Sequence, residues 1–258
     1  MTALDAIILG LLEGAAEFLP ISSTGHLILA SDLLAIPDSA FLTSFIIAIQ
    51  FGAIAAVLIT YWKSFLNIEV LKRLFVAFLP TAVIGFTLYP LIKDVLLKSE
   101  LTVVIALFVG GILLIIFELL HKEPVQPTET DSFATIPYRK AFLVGLFQSI
   151  AVIPGVSRSA ATIMGGLLLG IRRTAIVEFS FLLAVPTMGA ATSYDLLKNY
   201  ESFVDADIGV LAIGMVTAFI TALLVLRLFL SFIKRYTFIP FGVYRIVLAG
   251  VFFFLVLY

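Results

Sequence analysis

The chain has 258 residues, 62% of them hydrophobic and 13% charged, with a net charge of −1 and a mean hydropathy of +1.17. A soluble domain of that length needs far more polar surface, so the bilayer is its solvent. The near-neutral balance gives no electrostatic footprint for nucleic acid, and the absence of cysteine excludes disulfides and thiolate metal sites.

The start, Met1-Thr-Ala-Leu-Asp5, carries no basic run, and Glu13 and Glu17 interrupt the apolar stretch behind it. It reads as mature protein, not as a cleaved signal peptide. A full span needs about 20 apolar residues. In chain order, the stretches that qualify are 41–61, 74–92, 101–120, 175–196, 208–230 and 241–258, six in all. The apolar stretches 6–19, 25–35, 141–153 and 160–170 are too short or interrupted. They form two pairs, broken at Pro20-Ile-Ser-Ser-Thr-Gly25 and at Pro154-Gly-Val-Ser-Arg-Ser159. Irregular backbone at membrane depth is tolerated only where it is buried in protein or lines a wet cavity. Each pair therefore predicts a re-entrant hairpin of two half-helices.

The order hairpin, three spans, hairpin, three spans predicts an internal repeat. GLLEGAAEFLPISST from Gly10 lies over GLFQSIAVIPGVSRS from Gly145 at an offset of 135. Gly10 then matches Gly145, Ser22 matches Ser157, Glu13 faces Gln148 and Ser23 faces Arg158. Farther on, FIIAIQ from Phe45 lies over FLLAVP from Phe181 at an offset of 136. Three spans per unit is an odd number, so the second copy enters from the opposite side. That is an inverted-topology repeat with broken helices, whose sites lie near the midplane. The expected class is an all-α integral membrane protein with a single membrane domain, 1–258: repeat A 1–120, a cytoplasmic linker 121–139, and repeat B 140–258. One side of this layout holds Lys63, Lys72, Arg73, Lys122, Arg139, Lys140, Arg172, Arg173, Lys234 and Arg235; the other holds only Lys93, Lys98 and Lys198. The basic side is assigned to the cytoplasm, which leaves both termini outside.

The polar residues concentrate at the two breaks. Glu13 and Glu17 are four apart and share one face of a half-helix. An intramembrane carboxylate is a functional-site hypothesis by default. The pair suits a divalent-metal site or a general base; satisfied structural carboxylates are the plain alternative. Ser22, Ser23 and Thr24 open the next half-helix. One of them is an ordinary N-cap candidate, yet a helix N-terminus also presents free N–H groups to an anion. The second break offers the same with Ser157, Ser159, Thr162 and a cation, Arg158, whose fork matches a phosphate; an ion pair to Glu13 or Glu17 is the structural reading of Arg158. His26 is either a hydrogen-bonded core histidine or a proton-transfer group. Gln50, near the repeat centre, is a candidate hydrogen-bonding partner for a ligand or a neighbouring helix. Arg227 and Arg245 read as snorkelling residues near helix ends. A diphosphate at membrane depth, carried on a lipid, fits this set.

At these motifs the chain resembles the undecaprenyl-diphosphate phosphatase family of the bacitracin-resistance type. The family's acidic (E/Q)xxxE motif and its PxSSTGH run correspond to Glu13-Gly-Ala-Ala-Glu17 and Pro20-Ile-Ser-Ser-Thr-Gly-His26. Its PGxSRSxxT motif corresponds to Pro154 through Thr162, with Ala160 where glycine is usual. The resemblance implies hydrolysis of undecaprenyl diphosphate to the monophosphate and inorganic phosphate, in a multi-pass plasma-membrane protein whose site opens outward. It also implies a divalent cation, Mg2+ or Ca2+. The expected roles are then catalytic for Glu17, Ser23, His26 and Arg158, metal-binding for Glu13 and Glu17, and substrate-binding for Ser22, Thr24, Ser157, Ser159, Thr162 and Gln50. The nucleophile stays open between Ser23, Ser22, His26 and water. Expected partners are the polyprenyl diphosphate and membrane lipids, with a second copy as a candidate homodimer partner. The rival reading is a polyprenyl-phosphate flippase using the same midplane site.

Overall fold

In the computed structural model, α1 (Ala3–Ala16) starts on a capping box: Thr2 Oγ1 accepts from the Asp5 N–H at 3.2 Å and Asp5 Oδ2 accepts from the Thr2 N–H at 2.6 Å. It is followed by α2 (Ser23–Leu33), α3 (Ala40–Thr60), α4 (Ile68–Thr87), α5 (Glu100–Leu120), α6 (Tyr138–Gln148), α7 (Arg158–Leu168), α8 (Arg173–Lys198), α9 (Ile208–Ile233) and α10 (Ile239–Phe252). The structure describes residues 1–88, 96, 99–121, 132–198 and 207–257, and among these there is no strand. Side-chain caps start most of the long helices: Ser39 for α3, Asn67 for α4, Ser99 for α5 and Asp207 for α9.

Five helices, α3, α4, α5, α8 and α9, are long and apolar enough to cross a membrane. The chain is thus a multi-pass membrane protein. The sixth expected span is shorter: α10 has 14 residues and runs on into a π turn, Phe253–Leu257. The expected span 74–92 starts too late. The helix begins at Ile68, because Asn67 caps it and Glu69 takes Lys72 and Arg73 into ion pairs within the first turns, at 2.9 and 3.1 Å. Residues 89–92 of that span, and 122–131 of the expected linker, lie outside the described residues.

The four short helices behave differently. At 1.5 Å per residue, the 14 residues of α1 reach about 21 Å and the 11 residues each of α2, α6 and α7 about 17 Å, short of a hydrocarbon core of about 30 Å. Both α2 and α7 end on the same device. In α2 the Ile36 N–H bonds the Ser31 carbonyl and the Ala35 N–H the Asp32 carbonyl, with Ala35 at φ +50°; in α7 the Ile171 N–H bonds the Gly166 carbonyl and the Gly170 N–H the Leu167 carbonyl, with Gly170 at φ +70°. This is the Schellman stop, and every position differs by 135, the offset of the sequence repeat.

Packing follows the same exchange. α1 lies on α9 and α6 on α4; α3 contacts α9 as α8 contacts α4; α3 meets α8, and α5 meets α10. Small residues let the backbones approach, as they must where lipid removes any hydrophobic drive between helices. A Cβ on Gly10 would lie 2.6 Å from the Gly214 carbonyl oxygen, and one on Gly145 would overlap the Ala77 carbonyl. The main apolar core runs between these pairs, with Phe18 edge-on to Phe181 at 5.5 Å. It is this core that brings the break after α1 against the break before α7.

Candidate active site

The last turn of α1 carries Glu13 and Glu17, and Glu17 closes the helix as its C-cap. Their i, i+4 spacing sends both inward: Glu13 is fully buried and Glu17 nearly so. Ser23 and Arg158 are the first residues of α2 and α7. These two positions, 135 apart in the sequence, converge on one carboxylate. Ser23 Oγ donates to Glu17 Oε2 at 2.5 Å, and Arg158 Nη2 donates to Glu17 Oε1 at 3.0 Å. The guanidinium is further fixed by Nη1 on the Ser180 carbonyl at 2.7 Å, and it lies 5.9 Å from the Phe18 ring centroid. Its Nε–H is buried without an acceptor among the described residues.

Glu13 stands apart. Neither of its oxygens has a hydrogen-bond partner among the described residues, and Glu17 and Arg158 are the charges that act on it. Gln148, 135 residues farther on, donates from Nε2 to Thr81 and Thr187 at 2.8 and 3.1 Å. The amide nitrogen finds two hydroxyls, while Gln148 Oε1, like both Glu13 oxygens, has no hydrogen-bond partner among the described residues. An orphaned buried carboxylate fits a cation. Among the described residues no three His, Cys, Asp or Glu side chains gather for a metal. Mg2+ and Ca2+ are hard ions that accept one or two carboxylates plus phosphate oxygens, so Glu13 and Glu17 fit such an ion when a diphosphate completes the shell.

The expected substrate-binding residues other than Ser22 fall into four places. Ser157 and Ser159 dock the second break on the first: both hydroxyls donate to the Leu19 carbonyl, at 3.3 and 2.7 Å, and Ser157 Oγ also caps α7 through the Ala160 N–H. Thr162 is spent inside α7, donating to the Arg158 carbonyl at 2.8 Å. Gln50 Oε1 accepts from Thr192, one turn beyond the Met188 that Arg158 touches. Thr24 is partly exposed in the first turn of α2, and among the described residues no hydrogen bond joins it to Glu17 or Arg158.

His26 is held at both nitrogens. Its Nδ1 lies 2.7 Å from the Ser22 carbonyl, which can only accept, so Nδ1 carries the proton. In the neutral ring Nε2 then accepts from the Tyr244 hydroxyl at 2.7 Å, with the two rings stacked at 5.5 Å. Ser22 itself sits at φ +72°, a conformation an L-residue rarely adopts. The histidine contact on its carbonyl holds that backbone. It is Glu17, not His26, that accepts from the Ser23 hydroxyl.

Two contributors to the site lie outside the motifs. Tyr244 is one. The other is Arg245, which does not snorkel at a helix end: it is 1% exposed, in the middle of α10. Its Nη1 donates to the Pro20 carbonyl at 3.3 Å, Nη2 to Ala106 and Gly155 at 3.0 and 3.1 Å, and Nε to Leu107 at 3.4 Å. Arg227 does lie on an exposed face.

A family model described as bacitracin resistance protein BacA matches residues 6–251. The chain belongs to this family. Proteins named undecaprenyl-diphosphatase are similar to it over nearly their full length. That of Persephonella marina is 51% identical, covering all of both chains. That of Sulfurihydrogenibium sp. is 51% identical over 96% of this chain and 97% of its own, and that of Aquifex aeolicus 49% over 98% of each. The family match spans both breaks, from the Glu13–Glu17 turn to Arg245.

Proposed function

We propose that the protein hydrolyses undecaprenyl diphosphate to undecaprenyl phosphate and inorganic phosphate, returning the lipid carrier to envelope synthesis. Removal of the diphosphate also removes the target of bacitracin. The observation that carries this reading is the convergence of Ser23 and Arg158 on Glu17. A hydroxyl whose proton already points at a carboxylate is the arrangement of a nucleophile with its base. Ser23 Oγ attacks the terminal phosphorus as its proton passes to Glu17. The bond to the bridging oxygen breaks, and the lipid monophosphate leaves. Glu17 gives that proton to the departing monophosphate, then takes one from the water that releases phosphate from the serine and returns it to Ser23 Oγ.

Arg158 serves the transferring phosphoryl group, which needs positioning and charge more than covalent help. Its free Nε–H is a donor awaiting an acceptor, as the Glu13 oxygens await a cation. A Mg2+ or Ca2+ ion held by Glu13 and Glu17 would supply positive charge to the diphosphate oxygens. His26 and Tyr244 keep the Ser22 backbone in place beneath the reacting group. A flippase must bind and release its anion, and gains nothing from a carboxylate that accepts a hydroxyl proton; the site favours hydrolysis over transport.

The finer architecture belongs to the same proposal. The chain is an inverted repeat, 1–120 and 140–258 around the 121–139 linker, with α1–α2 and α6–α7 as opposed re-entrant hairpins. The shared Schellman stops and the exchanged helix contacts support it. The basic loops support a plasma-membrane orientation with both termini outside and the first hairpin entering from the outer side.

The test is phosphate release from undecaprenyl diphosphate by purified protein in detergent, with and without EDTA, beside Glu17→Gln. Release that stops with EDTA and in the variant supports the reading. No release by folded, metal-supplied protein would overturn it.

A further inference from the structure

Arg245 is a buried cation with no carboxylate bonded to it among the described residues. Such a charge is expensive in a bilayer unless its environment answers it. Among the described residues the answer is made of main-chain carbonyls, and their distribution is specific. Pro20 belongs to the first break, Gly155 to the second, and Ala106 and Leu107 to α5. Both breaks leave the regular helical ladder, so some of their carbonyls need donor partners from elsewhere: Pro20 interrupts one, and Gly155, at φ +88°, turns the other. One guanidinium fork therefore satisfies an acceptor in each break and ties both to the same helix.

The room for it is built into α5. The side chain crosses Gly110 and Gly111: a Cβ on Gly110 would collide with Arg245 Nη2, and one on Gly111 would lie 3.2 Å from Arg245 Cβ. Next to it in sequence, Tyr244 holds His26, which in turn holds the strained Ser22. From consecutive positions, α10 thus grips the first break twice and the second once. The active groups are the residues just past those grips: Ser23 lies three beyond Pro20, and Arg158 lies three beyond Gly155.

We propose that Arg245 is a positioning residue, locking the two breaks in the register at which Ser23 and Arg158 meet on Glu17. The proposal rests on the hydrolytic reading for its kinetic consequence, but its geometric consequence does not. Lysine at 245 keeps the charge and loses the fork, so it can reach one break and not both. Gly110→Ala leaves Arg245 present and pushes its Nη2 away from the Ala106 and Gly155 carbonyls.

The chain has no cysteine, so a spin-label pair at the exposed Leu33→Cys and Leu168→Cys, at the ends of α2 and α7, reads the two hairpins directly. In Arg245→Lys and in Gly110→Ala the distance distribution between the labels should broaden or shift relative to the parent pair. In unlabelled protein, kcat should fall by about 100-fold with KM within a few-fold, because a misplacement near 1 Å at the reacting atoms has that effect. A distribution unchanged in both variants would overturn the proposal, whatever the rate. So would a kcat unchanged in a variant whose distribution has broadened. Should Arg245→Lys fail to fold, Gly110→Ala alone decides on the same two readouts. Absence of activity in the parent protein would sink the hydrolytic reading and leave the distance measurement standing.

Discussion

Glu17 is the residue on which two halves of the sequence meet, and its two oxygens are not interchangeable. Oε2 faces a hydroxyl that can be activated, and Oε1 faces a guanidinium that fixes the orientation of the carboxylate. Arg158 in turn makes directional bonds from two different nitrogens, to Glu17 and to the Ser180 carbonyl. A lysine offers a point charge and no fork. Arg158→Lys is therefore expected to lower kcat by about 100-fold or more, the usual effect of removing an oriented donor to the developing charge. Steady-state phosphate release measures it, and near-normal kcat would remove Arg158 from the reaction. Glu13, Glu17, Ser23 and Arg158 were legible in the sequence because each is polar where the chain is otherwise apolar. Tyr244 and Arg245 were not. They lie near the start of an apolar stretch, where an arginine ordinarily reaches for the interface. The one available signal was the Gly110-Gly111 pair in the α5 stretch, a gap that a large side chain from elsewhere fills.

At the scale of elements, the four short helices were readable from their length and from the proline or glycine breaks between them. Their ends came out differently. Ala35 and Gly170 are 135 apart, but nothing in the residues themselves reveals that both are left-handed; that follows only from the Schellman hydrogen bonds each makes. The pair makes a matched test of backbone strain. An L-residue in the left-handed region is disfavoured by about 1–2 kcal/mol, and glycine is not. The position of Gly170 is open: a Cβ there would meet only Lys140 Nζ, at 4.0 Å, so Gly170→Ala introduces conformational strain without overlap. It should lower stability by about 1 kcal/mol. Ala35→Gly should raise it by less, since the unfolded chain gains freedom with glycine. Thermal unfolding in detergent reads both signs, and equal shifts in one direction would contradict the shared geometry. The early start of α4 at Ile68 was missed for a related reason: Lys72 and Arg73 look like loop charges until Glu69 is seen to pair with both inside the first turns.

For the whole molecule, the proposed repeat has a consequence that composition alone does not reach. If α1–α2 and α6–α7 are equivalent hairpins in opposed copies, their returning ends emerge on opposite faces of the membrane. The packing fits this: α1 uses α9 of the other half as α6 uses α4, and α5 meets α10 as one equivalent element meets its twin. The hydrogen bonds fit it too, since Ser23 and Arg158, 135 apart, reach the same carboxylate from two sides. The charge asymmetry would then put the ends of the first hairpin outside and those of the second in the cytoplasm. Single cysteines in this cysteine-free chain test the assignment, at Asp38 just past α2 and at Leu168 at the end of α7, both exposed. A membrane-impermeant maleimide applied to intact cells should label Asp38→Cys at once and Leu168→Cys only after permeabilisation. Lys63→Cys, between α3 and α4, should behave like Leu168→Cys, because one full span separates it from the first hairpin. Labelling of positions 38 and 168 from the same face would rule out opposed copies and, with them, a site built where two oppositely entering hairpins meet.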